Sequence, residues 1–183
     1  WYKKDILMDM DKFKKNINNL LLPIIIIFAL SLIRLIPHPW NFSPMLAAGV
    51  FSGFYFKKFY LSLFVIMFSM FVGDLFLGFH STMFFTYISL AIAVLIGSYV
   101  KNFKFNEIFF SGLSSSICFF IITNFGAWLT IDIYTKNFAG LLQSYIMAIP
   151  FFHNTLISTF LYLFLFKILF DLAVKKKIFK ISF

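Results

Sequence analysis

The amino-acid sequence predicts an all-α, polytopic membrane protein with six transmembrane helices and a broken sixth region. Composition is the first observation behind this. Hydrophobic types fill 61% of 183 positions and charged types 13%, against about 25% charged in an ordinary soluble domain. The second is that the apolar residues fall into runs near the length of a bilayer crossing. The third is that the charges lie between those runs and are mostly positive, with 16 Lys and Arg against 7 Asp and Glu.

A spanning helix needs about 20 apolar residues. The first run is Leu20 to Ile36, with Pro23 in its opening turn, where proline is tolerated. Three prolines in the eight residues Pro37 to Pro44 remove donors and force extended backbone. That stretch is a rigid loop with Trp40 at the interface. The second helix runs from Met45 to Phe56 and stops at Lys57-Lys58, and the third runs from Phe59 to Val72. A single helix over 45–72 would bring two lysines near the bilayer centre, at about 2.5–3.5 kcal/mol each, so a hairpin is predicted. A polar turn covers Gly73-Asp74 through His80. The fourth helix is Met83 to Val100, and a polar loop holds Lys101, Asn102, Lys104, Asn106 and Glu107. The fifth helix is Ile108 to about Leu129. The apolar stretch Phe138 to Leu172 is too long for one span, and Pro150 is expected to divide it into a half-helix, 138–149, and a sixth span, 151–172.

The distribution of charge sets the expected orientation. With the N-terminus inside, 14 of the 16 basic residues fall on the inner side, and only Arg34 and Lys136 fall toward the outside. The positive-inside bias therefore favours six spans with both termini in the cytoplasm. Residues 1–19 form a cytoplasmic segment, 20–173 the membrane domain and 174–183 a basic cytoplasmic tail. The bacterial inner membrane is the expected location. Lysines mixed with Asp5, Asp9 and Asp11, and no small-residue cleavage site, argue against a cleavable signal peptide. The chain begins at Trp1, so Met8 or Met10 is a candidate natural start, unless residues precede it.

Several function classes are disfavoured. The net charge of +9 sits in short clusters between apolar runs, which points to a membrane surface rather than nucleic acid. Cys118 is the single cysteine, so neither an internal disulfide nor a cysteine-based metal cluster is expected. His-Glu-x-x-His and a phosphate-cradling glycine loop are missing, and Gly112-Leu113-Ser114-Ser115-Ser116 lacks the closing glycine of a nucleophile elbow. No enzyme activity, cofactor or bound metal is expected.

Polar residues gather at the outer ends of the apolar runs: Arg34, His38, Asn41, Asp74, His80, Asn124, Trp128, Asp132, His153 and Asn154. Polar groups at membrane depth are costly and normally face a partner or a cavity. Their shared depth points to one polar cavity that opens outward. The plainer alternative is structural pairing, with Arg34 bonded to Asp74 or Asp132. Asn124 and Trp128 share a helix face, which suits a polar aromatic ligand or a helix–helix bond. Gly49 and Gly53, flanked by Ala48 and Ser52, let another helix approach closely, either within the chain or from a partner.

Two stretches carry a resemblance. One is Arg34-Leu-Ile-Pro-His-Pro-Trp-Asn-Phe-Ser-Pro44, followed by a small-residue helix and Asp74-Leu-Phe-Leu-Gly-Phe-His80. The other is Thr123-Asn-Phe-Gly-Ala-Trp128, then Ala139-Gly-Leu-Leu and Ile149-Pro-Phe-Phe-His-Asn-Thr155. Together they resemble a family of small bacterial membrane proteins described as similar to the S components of energy-coupling-factor (ECF) vitamin transporters, over roughly residues 30 to 170. The resemblance implies an S-component-like bundle with an outward substrate pocket. It also implies a shared transmembrane coupling subunit with ATPases as partner. S components often carry small residues at four-residue spacing on the first helix, whereas here the pair lies on the second. The leading expectation is a transport protein, or its substrate-binding subunit, for a small vitamin-like solute. Arg34, His38, Asn41, Asp74, His80, Asn124, Trp128, His153 and Asn154 would contact that solute. The alternative is a non-catalytic accessory subunit of a larger membrane complex. The lipid bilayer is a partner in either case.

Overall fold

The computed structural model describes residues 21, 24–29 and 32–175. The expected cytoplasmic segment 1–19, parts of the first run, and Lys176, Lys177 and Lys180 of the tail lie outside the described residues. Helices α1 (24–29), α2 (Met45–Phe56), α3 (Phe59–Leu77), α4 (Met83–Tyr99), α5 (Phe105–Thr130) and α6 (Phe138–Lys175) make up the bundle, with a 3-10 turn, Ile33–Leu35, after α1. No strand occurs among the described residues. Helices α3, α5 and α6 are each long and apolar enough to cross a membrane, while α2 and α4 are shorter and equally apolar. The molecule is a helical membrane protein.

The shortest of the five long-range packing helices is at the centre. Eleven of the 12 residues of α2 are buried, and α2 packs against α3, α4, α5 and α6. A helix that is apolar all round belongs inside other helices rather than on a surface. Ala48, Gly49, Ser52 and Gly53 make that position possible. A Cβ on Gly53 would sit 2.1 Å from the Val94 carbonyl oxygen, and one on Gly97 would sit 2.0 Å from that of Val50. The backbones of α2 and α4 therefore touch, with Gly49 against Ala93 beside them. The small residues on α2 thus pack within the chain. Ser52 donates to its own helix at Gly49, and its carbonyl accepts from Ser62 of α3 at 2.9 Å.

The break at Lys57-Lys58 falls as expected. Lys57 caps α2 in the left-handed region (φ 53°). Its ammonium donates to the Val100 carbonyl at the end of α4 and lies 5.1 Å from the Phe54 ring centroid. A cation at a helix C-terminus offsets the partial negative charge of the last carbonyls. Burial lowers the pKa of Lys57, and the Glu107 carboxylate works against that shift. The α4–α5 loop turns inward at Phe103 (φ 52°), which is fully buried and stacks on Phe54 at 4.7 Å. Phe51, Phe166 and Phe170 complete this aromatic cluster. Lys57, Lys58, Lys101 and Lys104 thus gather at one end, the lysine end. The opposite, tryptophan end carries Trp40, the 78–82 loop and Trp128.

The structure corrects the expected elements in three places. Helix α6 runs unbroken from Phe138 to Lys175 through Pro150, so the sixth region is not divided. A proline removes one N–H and crowds one carbonyl, that of Ile146. Both Pro150 and Ile146 are exposed, and the turns on either side hold the helix. Second, Gly73 and Asp74 lie inside α3 rather than in a turn, because Asp74 is neutralised within the bundle. Third, α5 begins at Phe105 rather than Ile108, because Glu107 accepts from the N–H groups of Lys101, Asn102 and Lys104 and closes the entry to the helix.

Gly97→Ala is expected to cost about 1–3 kcal/mol through overpacking against rigid backbone. Gly112→Ala, whose Cβ meets the movable Leu163 Cδ1 at 2.8 Å, is expected to cost less. Thermal unfolding of both variants in detergent micelles checks the order.

Candidate functional site

Burial divides the bundle into two halves. Beside α2, the neighbouring helices turn fully buried faces inward. Toward the tryptophan end they do not. In α5, Ile108, Ser111, Gly112, Ser115 and Ser116 are buried, but beyond them only Gly126 is. In α6, eight residues from Thr155 to Ala173 are buried, and before Thr155 only Gly140 and Ser144 are. In α4, burial begins at Ser89. The cause is the length of α2, about 18 Å at 1.5 Å per residue. It fills one half of the bundle and ends at Pro44. Fewer residues in the outer halves of α4, α5 and α6 are buried, and the N-terminus of α2, itself buried, lies below them.

The proline-rich loop 37–44 descends into this region. Phe42 packs on Tyr162 of α6 at 6.2 Å, and the Asn154 amide donates to the Trp40 carbonyl at 3.1 Å. Trp40 itself is 80% exposed. Asn41 holds a left-handed turn (φ 61°), which asparagine tolerates better than most residues. His38 bonds through Nδ1 to the Ile36 carbonyl at 2.7 Å. His38, Asn41, His80 and His153 are exposed and Asn154 is half-buried, all toward the tryptophan end. His80 bonds through Nδ1 to Thr82 Oγ1 at 2.9 Å.

The charged candidates form a separate group. Arg34 Nη2 donates to Asp74 Oδ1 at 2.9 Å, and the side chains are 12% and 1% exposed. The Tyr87 hydroxyl donates to Asp74 Oδ2, also at 2.9 Å. Arg34 Nη1 lies 2.9 Å from Met70 Sδ. The guanidinium crosses the face of α3 at Gly73, where a Cβ would be 2.9 Å from Nη1. The 3-10 turn, α3 and α4 are thereby tied by one neutral charge cluster. Asp132 is exposed and takes no part.

Asn124 and Trp128 are half-buried and locally bonded. The Asn124 amide donates to the Phe120 carbonyl at 2.7 Å, and the Trp128 indole donates to the Thr135 carbonyl at 2.9 Å. Lys136 donates to the carbonyls of Trp128 and Ile131, closing the α5–α6 loop. The structure therefore brings Arg34 to Asp74, and Asn154 to the loop that holds His38 and Asn41. It does not join the nine residues in one contact set. No group of three or more His, Cys, Asp or Glu side chains suited to a metal lies among the described residues.

Sequence reasoning missed Tyr87 and the buried hydroxyls. Among the described residues, Ser69, Ser116 and Thr159 have buried hydroxyl oxygens without a hydrogen-bond partner. The signal was present in the run Ser114-Ser115-Ser116 and in the Ser158-Thr159 pair, polar residues in mid-helix with no helical advantage.

Over residues 14–181 the chain matches the model of a family described as "Family of unknown function (DUF6580)". It belongs to that family. No curated protein and no solved structure matches it. The DUF6580 match spans the whole bundle described above, the charge cluster included.

Replacing Asp74 of this DUF6580 protein by Ala leaves the Arg34 guanidinium unpaired, an expected loss of about 3–5 kcal/mol. An Arg34→Met/Asp74→Leu double variant is expected to lose less than Asp74→Ala, because no charge is stranded. Thermal unfolding of purified variants reads both.

Proposed function

We propose that this protein is a non-catalytic, solute-binding membrane subunit, similar to an ECF S component, that takes up a small vitamin-like solute. The short central helix, with exposed polar residues beyond its N-terminus, supports this reading. His38, Asn41, His80, His153 and Asn154 would meet the solute first, with Asn124 and Trp128 on the α5 wall. Arg34 and Asp74 would serve as a neutral wall rather than as charged ligand groups, because each already has the other.

In this reading the chain crosses the bacterial inner membrane six times. The lysine end faces the cytoplasm, since Lys57, Lys58, Lys101 and Lys104 gather there. Both termini then lie inside. A coupling subunit with ATPases would supply energy. One observation favours a second reading, an accessory subunit of a larger membrane complex. Arg34, Asp74, Tyr87 and Trp128 are all satisfied within the chain, as a purely structural role would require.

Uptake of labelled vitamins by auxotrophic cells distinguishes the two. His38→Ala and Asn154→Ala are expected to cut uptake at least several-fold while leaving the amount of protein in the membrane unchanged. Wild-type cells that take up nothing above background favour the accessory role. Orientation has its own test. In a Cys118→Ala background, an impermeant maleimide should label Lys136→Cys on intact cells but label Lys101→Cys only after permeabilisation.

A further inference from the structure

At the lysine end, two exposed edges of the chain mirror one another. Lys58-Phe59-Tyr60 leads into α3, and Tyr99-Val100-Lys101 leads out of α4. Helices α3 and α4 pack on one another and are joined by the 78–82 loop at the tryptophan end, so both edges lie at the lysine end. The Lys57 ammonium donates to the Val100 carbonyl and ties the two edges together. Helix periodicity fixes which way the tyrosines lie. Ser62 of α3 and Gly97 of α4 both meet α2. Tyr60 and Tyr99 each stand two residues from them, about 200° around the helix. Both therefore lie on the outward side, and they are 84% and 76% exposed. One turn deeper on the same two faces are Phe64 and Leu95, also exposed.

Charge is unbalanced at this end. Lys58 and Lys101 are exposed, and neither ammonium has an ion pair among the described residues. The carboxylate beside them, Glu107, already accepts from the N–H groups of Lys101, Asn102 and Lys104. The cations of the other end are engaged: Arg34 holds Asp74, and Lys136 holds the Trp128 and Ile131 carbonyls. The outward order at the lysine end is thus ammonium, phenol, apolar side chain, on two neighbouring helices. That order matches the depth profile of a phospholipid: phosphate, glycerol ester, acyl chain. A tyrosine suits the middle layer, since its ring is apolar and its hydroxyl polar. The outward faces of α3 and α4 meet lipid in a membrane, so a lipid reaches Phe64 and Leu95 where a soluble partner does not. A second copy would set lysines against lysines.

We propose that Lys58, Tyr60, Tyr99 and Lys101 bind the headgroup of an anionic phospholipid, with its acyl chains along Phe64 and Leu95. The two ammonium groups meet the phosphate, and the phenol hydroxyls donate to its oxygens. Phosphatidylcholine fits less well, because its quaternary ammonium brings a third cation to the lysines. Bound there, the lipid bridges α3 and α4 at the end opposite the Arg34, Asp74 and Tyr87 cluster, which joins the same helices. The site does not rest on the uptake reading and holds equally for an accessory subunit.

The test titrates the full chain in detergent micelles with phosphatidylglycerol, with phosphatidylcholine and inorganic phosphate as controls. Wild type is expected to show a saturable rise in unfolding temperature with phosphatidylglycerol alone. In Lys58→Gln/Lys101→Gln, half-saturation is expected to rise roughly tenfold. That variant is expected to unfold at the wild-type temperature without lipid, since both side chains are exposed and unpaired. Lys104→Gln/Lys175→Gln removes the same charge from α5 and α6 and is expected to bind like wild type. The proposal is overturned if phosphatidylcholine matches phosphatidylglycerol, or if the Lys58/Lys101 variant responds like wild type. It is also overturned if the Lys104/Lys175 variant weakens binding as much, which makes the effect one of net charge. An equal shift with inorganic phosphate overturns it in favour of a soluble-anion site.

Discussion

The structure depends on the backbone contact between α2 and α4 at Gly53 and Gly97. In lipid, apolar side chains gain little by leaving the bilayer for a helix interface, so close packing has to draw the helices together. Two glycines that face the opposing carbonyls let the backbones meet. Once α2 is held there, its remaining apolar residues meet α3, α5 and α6, and it becomes the axis of the bundle. The phenylalanines then fill the lysine half: Phe51 on Phe166, Phe54 on Phe103, and Phe170 at the edge of both. Among the described residues six phenylalanines are buried in the bundle, while 13 others are exposed on its outside.

Charge follows the same geometry. Arg34 and Asp74 come from segments 40 residues apart, and neither charge is tolerable alone at this depth. An ion pair withdrawn from water recovers its desolvation cost only when further groups satisfy what the pair leaves open. Tyr87 does this for the second carboxylate oxygen, and Met70 lies against the second guanidinium nitrogen. Gly73 is the steric condition, since a side chain there would displace Arg34. The cluster fastens the 3-10 turn, and so the start of loop 37–44, to α3 and α4. The Asn154 bond to Trp40 fixes the middle of that loop to α6. The position of loop 37–44 is thus set from two sides.

The hairpin at Lys57-Lys58 was legible in the sequence because lysines in lipid are costly over any stretch of chain. The bounds of α2 were legible for the same reason, between Pro44 and Lys57. Gly73-Asp74 was misread as a turn, since a lone aspartate looks solvated until its arginine is placed. Pro150 was misread as a break, because the cost of a proline in a helix depends on what surrounds the carbonyl it crowds. The polar residues at the tryptophan end were found by type. Their division into a neutral cluster, an exposed group and a pair of locally bonded α5 residues was not, because it depends on the register between helices. The hydroxyls were overlooked for a related reason. A mid-helix serine reads as a small packing residue until its carbonyl one turn back is seen to be unused.

A central helix of 12 residues creates a physical problem that longer helices avoid. Its N-terminus lies well inside the bundle, where water does not supply acceptors for the first-turn N–H groups. Ordinary membrane helices place those groups in the headgroup region. Pro44 and Ser43 relieve part of the demand, one by lacking an N–H and the other by offering a hydroxyl oxygen. The surrounding helices, however, supply hydroxyls at that level rather than carboxylates, and hydroxyls can donate as well as accept. Their lone pairs can therefore serve the first-turn N–H groups that α2 leaves open, which lets so short a helix end inside the bundle.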